Sequence, residues 1–177
     1  MSISYRMPPQ DMRSPIRKLA DRLHVAEFPE EYAHMNDSHA DANARRMGEN
    51  PMNSEYVAQV NVMRSLRGVG PLNASGQPTD NKSHTWAWNK AKRDFSHKLD
   101  IALFHNDPMG TGCVQNYCTD EYSRIAQGII ARISPETGNA EPLHEAILNE
   151  LIAWFDEELV NRPKVQRAVM ATLVDLI

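Results

Sequence analysis

The chain has 177 residues, a formal net charge of −4 and two cysteines. That length holds one domain, or one domain with an arm, and the acidic balance argues against a general nucleic-acid binder, which carries a basic excess. Two cysteines exclude a disulfide framework, no apolar run approaches the ~20 residues of a bilayer-spanning helix, and Met1–Arg6 lacks the apolar stretch of a signal peptide, so a soluble cytoplasmic setting without a membrane partner is expected.

Ser14-Pro15 is an N-cap followed by proline at the first helical position, and Ile16, Leu19, Ala20 and Leu23 continue it as one helical face. Residues 16–25, Ile-Arg-Lys-Leu-Ala-Asp-Arg-Leu-His-Val, look like the first helix and turn of a helix-turn-helix. His24 stands where that turn takes glycine, and the recognition helix would have to be Ala26–Tyr32, which carries three glutamates and a proline. Ser38 opens a short segment, His39–Met47, that Gly48 closes. Asn50-Pro51 or Asn53-Ser54 opens a third helix with Tyr56, Val57, Val60, Met63 and Leu66 inward and Gly68 at its end. His34, Asp37, His39 and Asp41 read as solvated residues, because histidines five apart on a helix point about 140° from each other.

Residues 70–81, Gly-Pro-Leu-Asn-Ala-Ser-Gly-Gln-Pro-Thr-Asp-Asn, are turn and linker chemistry throughout. A long helix follows, about Ser83 to His105, with Trp88, Phe95, Leu99, Ala102 and Leu103 on one side. Thr119 is expected to cap the next helix, in which Tyr122, Ile125, Ala126, Ile129, Ile130 and Ile133 follow the helical period. Pro142 opens another through Leu143, Ile147, Leu151, Trp154, Phe155 and Leu159, and Asn161 with Pro163 starts the last, through Val165, Val169, Leu173 and Leu176.

The strong core formers are concentrated after Lys82: all three tryptophans and most of the Ile, Leu, Val and Phe lie there, while most of the nine methionines lie before it. The pattern predicts an all-α protein with a C-terminal helical bundle at about 83–177. Residues 1–68 form a polar N-terminal short-helix region or arm, and 69–82 a linker.

The chemically richest stretch is His105 to Cys118. His105, Asp107, Cys113 and Cys118 offer four ligands for a zinc ion, although Cys-x4-Cys is a wide knuckle and no second knuckle accompanies it. Cys118 alternatively stands just before a helix N-terminus, where the dipole favours a thiolate nucleophile. Met-Gly-Thr-Gly at 109–112 lacks the ending of a phosphate loop. Charge patterning adds a basic stretch with Lys90, Arg93 and Lys98 and an acidic one with Glu150, Glu157 and Glu158, which can dock other proteins or other copies of the chain. The reading that follows is a non-enzymatic interaction or assembly subunit, whose partner is another protein or the chain itself. The alternatives are an enzyme or zinc protein built on His105–Cys118, with Cys118 as its catalytic thiol, and a helix-turn-helix regulator.

Overall fold

Ser14 and Pro15 start the first helix as their residue types require. In the computed structural model, which describes residues 14–32, 54–73, 77–135 and 139–176, Ser14 Oγ accepts the Arg17 amide at 3.3 Å. The helices are α1 (Pro15–Glu27), α2 (Ser54–Leu66), α3 (Lys82–Asn106), α4 (Cys113–Asn116), α5 (Ser123–Ile133), α6 (Leu143–Trp154), α7 (Glu157–Val160) and α8 (Pro163–Leu176). Among the described residues the only β pairing is an isolated bridge between Leu72 and Pro78, so the protein is all-α. The helix expected at His39–Met47, with His34, Asp37 and Asp41, lies outside the described residues. No helix among the described residues is long and apolar enough to cross a membrane.

The chain divides into two compact units, one formed by Leu19–Phe95 and the other by Ser96–Ile177 with Met1–Lys18, so the boundaries fall inside α1 and α3. In the unit containing Ser96–Ile177, the apolar period translates directly into packing. Leu99 and Leu103 of α3, Ile125, Ile129 and Ile133 of α5, Ile147 and Leu151 of α6, and Val165 and Val169 of α8 are all buried. α6 packs against α5, α7 and α8. Arg132 of α5 bonds Glu150 of α6 at 2.8 Å and Glu141, just before that helix, at 3.2 Å.

Two helix limits differ from expectation. α5 starts at Ser123 rather than at Thr119, because Cys118 to Tyr122 form turns and Tyr122 takes the N-cap position without a side-chain bond. The helix expected to run through Leu159 stops at Trp154. Phe155 is extended, and Asp156 accepts the Glu158 amide at 2.8 Å to cap the separate turn α7.

The unit formed by Leu19–Phe95 is built differently. Met63 and Leu66, expected inside, are 56% and 78% exposed, as is Val62 at 61%, while Arg64 is 1% exposed. α2 turns a polar face inward because Asn61 and Arg64 find hydrogen-bond partners there. Asn61 brackets Leu72, accepting its amide at 2.7 Å and donating to its carbonyl at 3.3 Å. Arg64 Nε donates to the Gly70 carbonyl at 2.6 Å. The segment read as a linker is therefore bonded along its described length. Thr79 donates twice to the Pro71 carbonyl, Asn73 accepts from and donates to Gln77, and Val69 and Leu72 are buried.

Two glycines make this turn possible. Gly68 closes α2 at a φ of +70°. Gly70 lies against Asp80, whose carboxylate accepts the Gly70 and Lys82 amides at 3.2 and 3.1 Å, and a Cβ at Gly70 overlaps that carboxylate. Gly70→Ala is expected to lower stability by about 1–3 kcal/mol, the range for forcing atoms into a packed site. Urea unfolding with tryptophan fluorescence checks this, and a variant as stable as the parent contradicts the packed turn.

Candidate functional site

The loop after α3 organises around one carboxylate. Asp107, at a φ of +37°, accepts from the Thr111 and Gly112 amides at 2.9 Å each, from Thr111 Oγ1 at 3.0 Å and from the Tyr122 hydroxyl at 2.8 Å. Burial alone would push the Asp107 carboxyl up, but the bonds from Tyr122, Gly112 and Thr111 outweigh it and hold the group below the usual aspartate value. The Tyr122 phenol, which also accepts the Met109 amide at 3.1 Å, is pushed well up, chiefly by burial. Asp107 is thus committed to closing a loop.

The other members of the quartet stand apart. His105 is exposed. Cys113 is buried with Sγ 3.4 Å from the Phe104 carbonyl, and burial pushes its thiol up. Cys118 is exposed, five residues before the start of α5. No three of the four bring ligand atoms together. Among the charged residues considered for docking, Lys90 pairs with Asp94 at 2.9 Å and Lys98 donates to the Leu176 carbonyl at 2.9 Å. Glu150 is held by Arg132 and by the Trp154 indole, whereas Arg93, Glu157 and Glu158 are exposed.

The structure instead gathers polar chemistry in the Leu19–Phe95 unit, around His24. Ala20, His24 and Phe28 follow one another at four-residue spacing and all three are buried. α1 continues through His24 to Glu27, and the next element is a single 3-10 turn, Pro29–Glu31, where a recognition helix would be needed for DNA reading. That turn brings Glu31 and Tyr32 back onto His24. Nδ1 of His24 shares a 2.5 Å hydrogen bond with the Tyr32 hydroxyl. Nε2 lies 3.1 Å from both Ser83 Oγ and Glu31 Oε2. The imidazole stacks on that of His84 with centroids 3.7 Å apart and planes 12° from parallel.

Glu31 connects this histidine to Arg64. Its Oε1 accepts Arg64 Nη1 at 2.6 Å, and Glu30 Oε1 accepts the same nitrogen at 3.0 Å. Arg64 Nη2 is buried without a hydrogen-bond acceptor, and the guanidinium carbon lies 5.7 Å from the centroid of the Phe28 ring. Burial, with the neighbouring His84 and against the pull of Glu31, holds His24 below the ordinary imidazole value.

Ser83, His24 and Glu31 have the residue types of a catalytic triad without its connectivity. Carboxylate and hydroxyl meet the same nitrogen, Nδ1 faces Tyr32, and Ser83 has no exposed surface on which to meet a substrate. Metal ligation has better support in the atoms. Glu31, His24 and exposed His84 bring one ligand atom each within 4.8 Å of one another, and they are the one such group among the described residues.

Beside this network, Ala26, Pro29, Val60 and Met63 line a groove of about 400 Å³ that also carries Glu27, Glu30, Arg64 and Arg67. Arg67 bonds the Glu27 carbonyl and lies 3.5 Å from its carboxylate. His24 and the Ala26–Tyr32 segment drew attention in sequence only as a helix-turn-helix, and their grouping with Arg64, Ser83 and His84 did not. Its signals are an adjacent Glu30-Glu31 pair and an arginine inside an otherwise apolar-looking helix, separated by more than thirty positions. Comparison of the chain with protein-family models, curated proteins and solved structures finds no match, so the chemistry rests on this geometry.

His24 sets a pH dependence with a definite sign. Above about pH 6.5, folded and unfolded chains both hold it neutral and its contribution is complete. As pH falls below that, the unfolded chain takes up the proton first, so the contribution declines down to the folded value. His24→Gln is expected to cost about 1–3 kcal/mol at pH 7, the range for unsatisfied buried partners, and measurably less at pH 5. Urea unfolding at the two values checks it. A cost that is constant or grows on acidification contradicts a neutral buried His24.

Proposed function

We propose that the protein is an assembly subunit that associates with a second copy of itself through the outer face of α2 and the adjoining groove. One observation carries this reading: Val62, Met63 and Leu66 are exposed while Asn61 and Arg64 take the inward positions. A surface helix of a monomer turns its large apolar residues inward, and a contiguous exposed set marks a contact face. Covering a leucine or methionine is worth roughly 1.5–3 kcal/mol per fully buried side chain.

The groove supports a second copy as the occupant. Its lining carries two glutamates and two arginines, Glu27 with Arg67 and Glu30 with Arg64, so its charge is self-complementary. Glu27 and Arg67 are each 36% exposed and only 3.5 Å apart, a loose pair of small worth within one chain. Across a two-fold axis, Arg67 of one copy meets Glu27 of the other, and the pairs exchange without leaving a charge alone.

Mass in solution tests this reading. The parent chain is expected to sediment as a dimer at micromolar concentration, and Leu66→Asp as a monomer. A surface change at so exposed a site alters folding stability by only about 0.5 kcal/mol. Arg67→Glu is expected to weaken the dimer, and combining it with Glu27→Arg to restore it. A monomeric parent, or a dimer indifferent to Leu66→Asp, overturns the proposal.

A further inference from the structure

We propose that His24, Glu31 and His84 bind a borderline first-row divalent cation of the zinc class, through two imidazole nitrogens and one carboxylate. Their ligand atoms already lie within 4.8 Å of one another. The 3.1 Å between His24 Nε2 and Glu31 Oε2 is within a few tenths of an ångström of the ~3.4 Å edge between two ligands about 2.1 Å from a tetrahedral ion. Without an ion, a proton between these atoms satisfies both. A dication takes that place, and the neutral imidazole carries its one proton on Nδ1 instead of Nε2.

The surroundings match what a histidine ligand needs. Tyr32 meets Nδ1, so a metal-bound Nε2 leaves Nδ1–H to donate to the phenol oxygen, fixing tautomer and ring orientation. Arg64 holds the other oxygen of Glu31 and so orients the carboxylate. Glu30, on the same guanidinium nitrogen, offsets the arginine charge that would otherwise oppose a cation. Two imidazoles and a single carboxylate favour zinc-like ions over magnesium or calcium, which prefer oxygen ligands.

The stack imposes one movement. Parallel imidazoles 3.7 Å apart cannot both direct in-plane lone pairs at one ion, so His84 turns its edge toward Glu31 on binding. His84 is exposed and free to turn, whereas His24 is 2% exposed and stays in place. This set is distinct from the His105–Cys118 quartet, and Leu66, on which the self-association test rests, is not one of its ligands or their partners.

Calorimetric titration of the full chain with Zn²⁺, and of Co²⁺ followed by its visible absorption, tests the site. One ion per chain is expected at micromolar affinity, with Mg²⁺ and Ca²⁺ giving no binding. His84→Ala, a change at an exposed position, is expected to keep the metal-free melting temperature and lose at least about tenfold in affinity. Tyr32→Phe is expected to lose about 10–100-fold, as outer partners of metal-bound histidines do. A His34→Ala, His39→Ala double variant and Leu66→Asp are expected to bind as the parent does. The proposal is overturned if the parent shows no saturable Zn²⁺ binding, if His84→Ala binds equally well, or if the His34/His39 variant removes the binding.

Discussion

The buried guanidinium of Arg64 is the constraint on which the Leu19–Phe95 unit depends. An arginine removed from water must find acceptors, and this one finds Glu30, Glu31 and the Gly70 carbonyl. Those three partners lie on the 3-10 turn and on the turn just after α2, so one side chain joins α2 and its following turn to a segment more than thirty positions earlier. Glu31 carries the effect further. One of its oxygens is on Arg64 and the other on His24, so the salt bridge also positions the histidine network.

The same constraint explains the exposed apolar face. A helix that sends Asn61 and Arg64 inward has its large aliphatic residues left over for the outside, at the spacing that places Val62 and Leu66 on one stripe. Such an inversion is costly for an isolated chain in water. It is consistent with a surface that another molecule covers. The unit containing Ser96–Ile177 shows the ordinary solution. Its helices bury their aliphatic stripes, and its most polar loop spends Asp107 on four donors that hold the chain turn closed.

Much of the fold was legible in the sequence wherever hydrophobic period and local capping decide the outcome. Ser14-Pro15, the long helix α3 and the aliphatic stripes of α5, α6 and α8 follow from residue type and spacing. Limits were less legible where side chains compete with the backbone, as at Asp156, which caps a new turn instead of extending α6. The candidate site was hidden for a different reason. Met63 and Leu66 have the spacing of a core stripe, and only the distant Glu30-Glu31 pair reveals that Arg64 has better inward partners than they do. His105, Asp107, Cys113 and Cys118 drew attention by chemistry and proximity in sequence, but the chain turns them toward separate surroundings.

A double-mutant cycle on Arg64 and Glu31, read by urea unfolding, tests the central claim most directly. Arg64→Met and Glu31→Gln are each expected to cost about 2–5 kcal/mol, because each leaves the other charge buried with fewer partners. The double variant is expected to cost clearly less than the two together, with a coupling of about 2 kcal/mol or more. Single costs below about 1 kcal/mol, as for an exposed ion pair, or strictly additive costs would contradict a buried bridge that sets the inward face of α2.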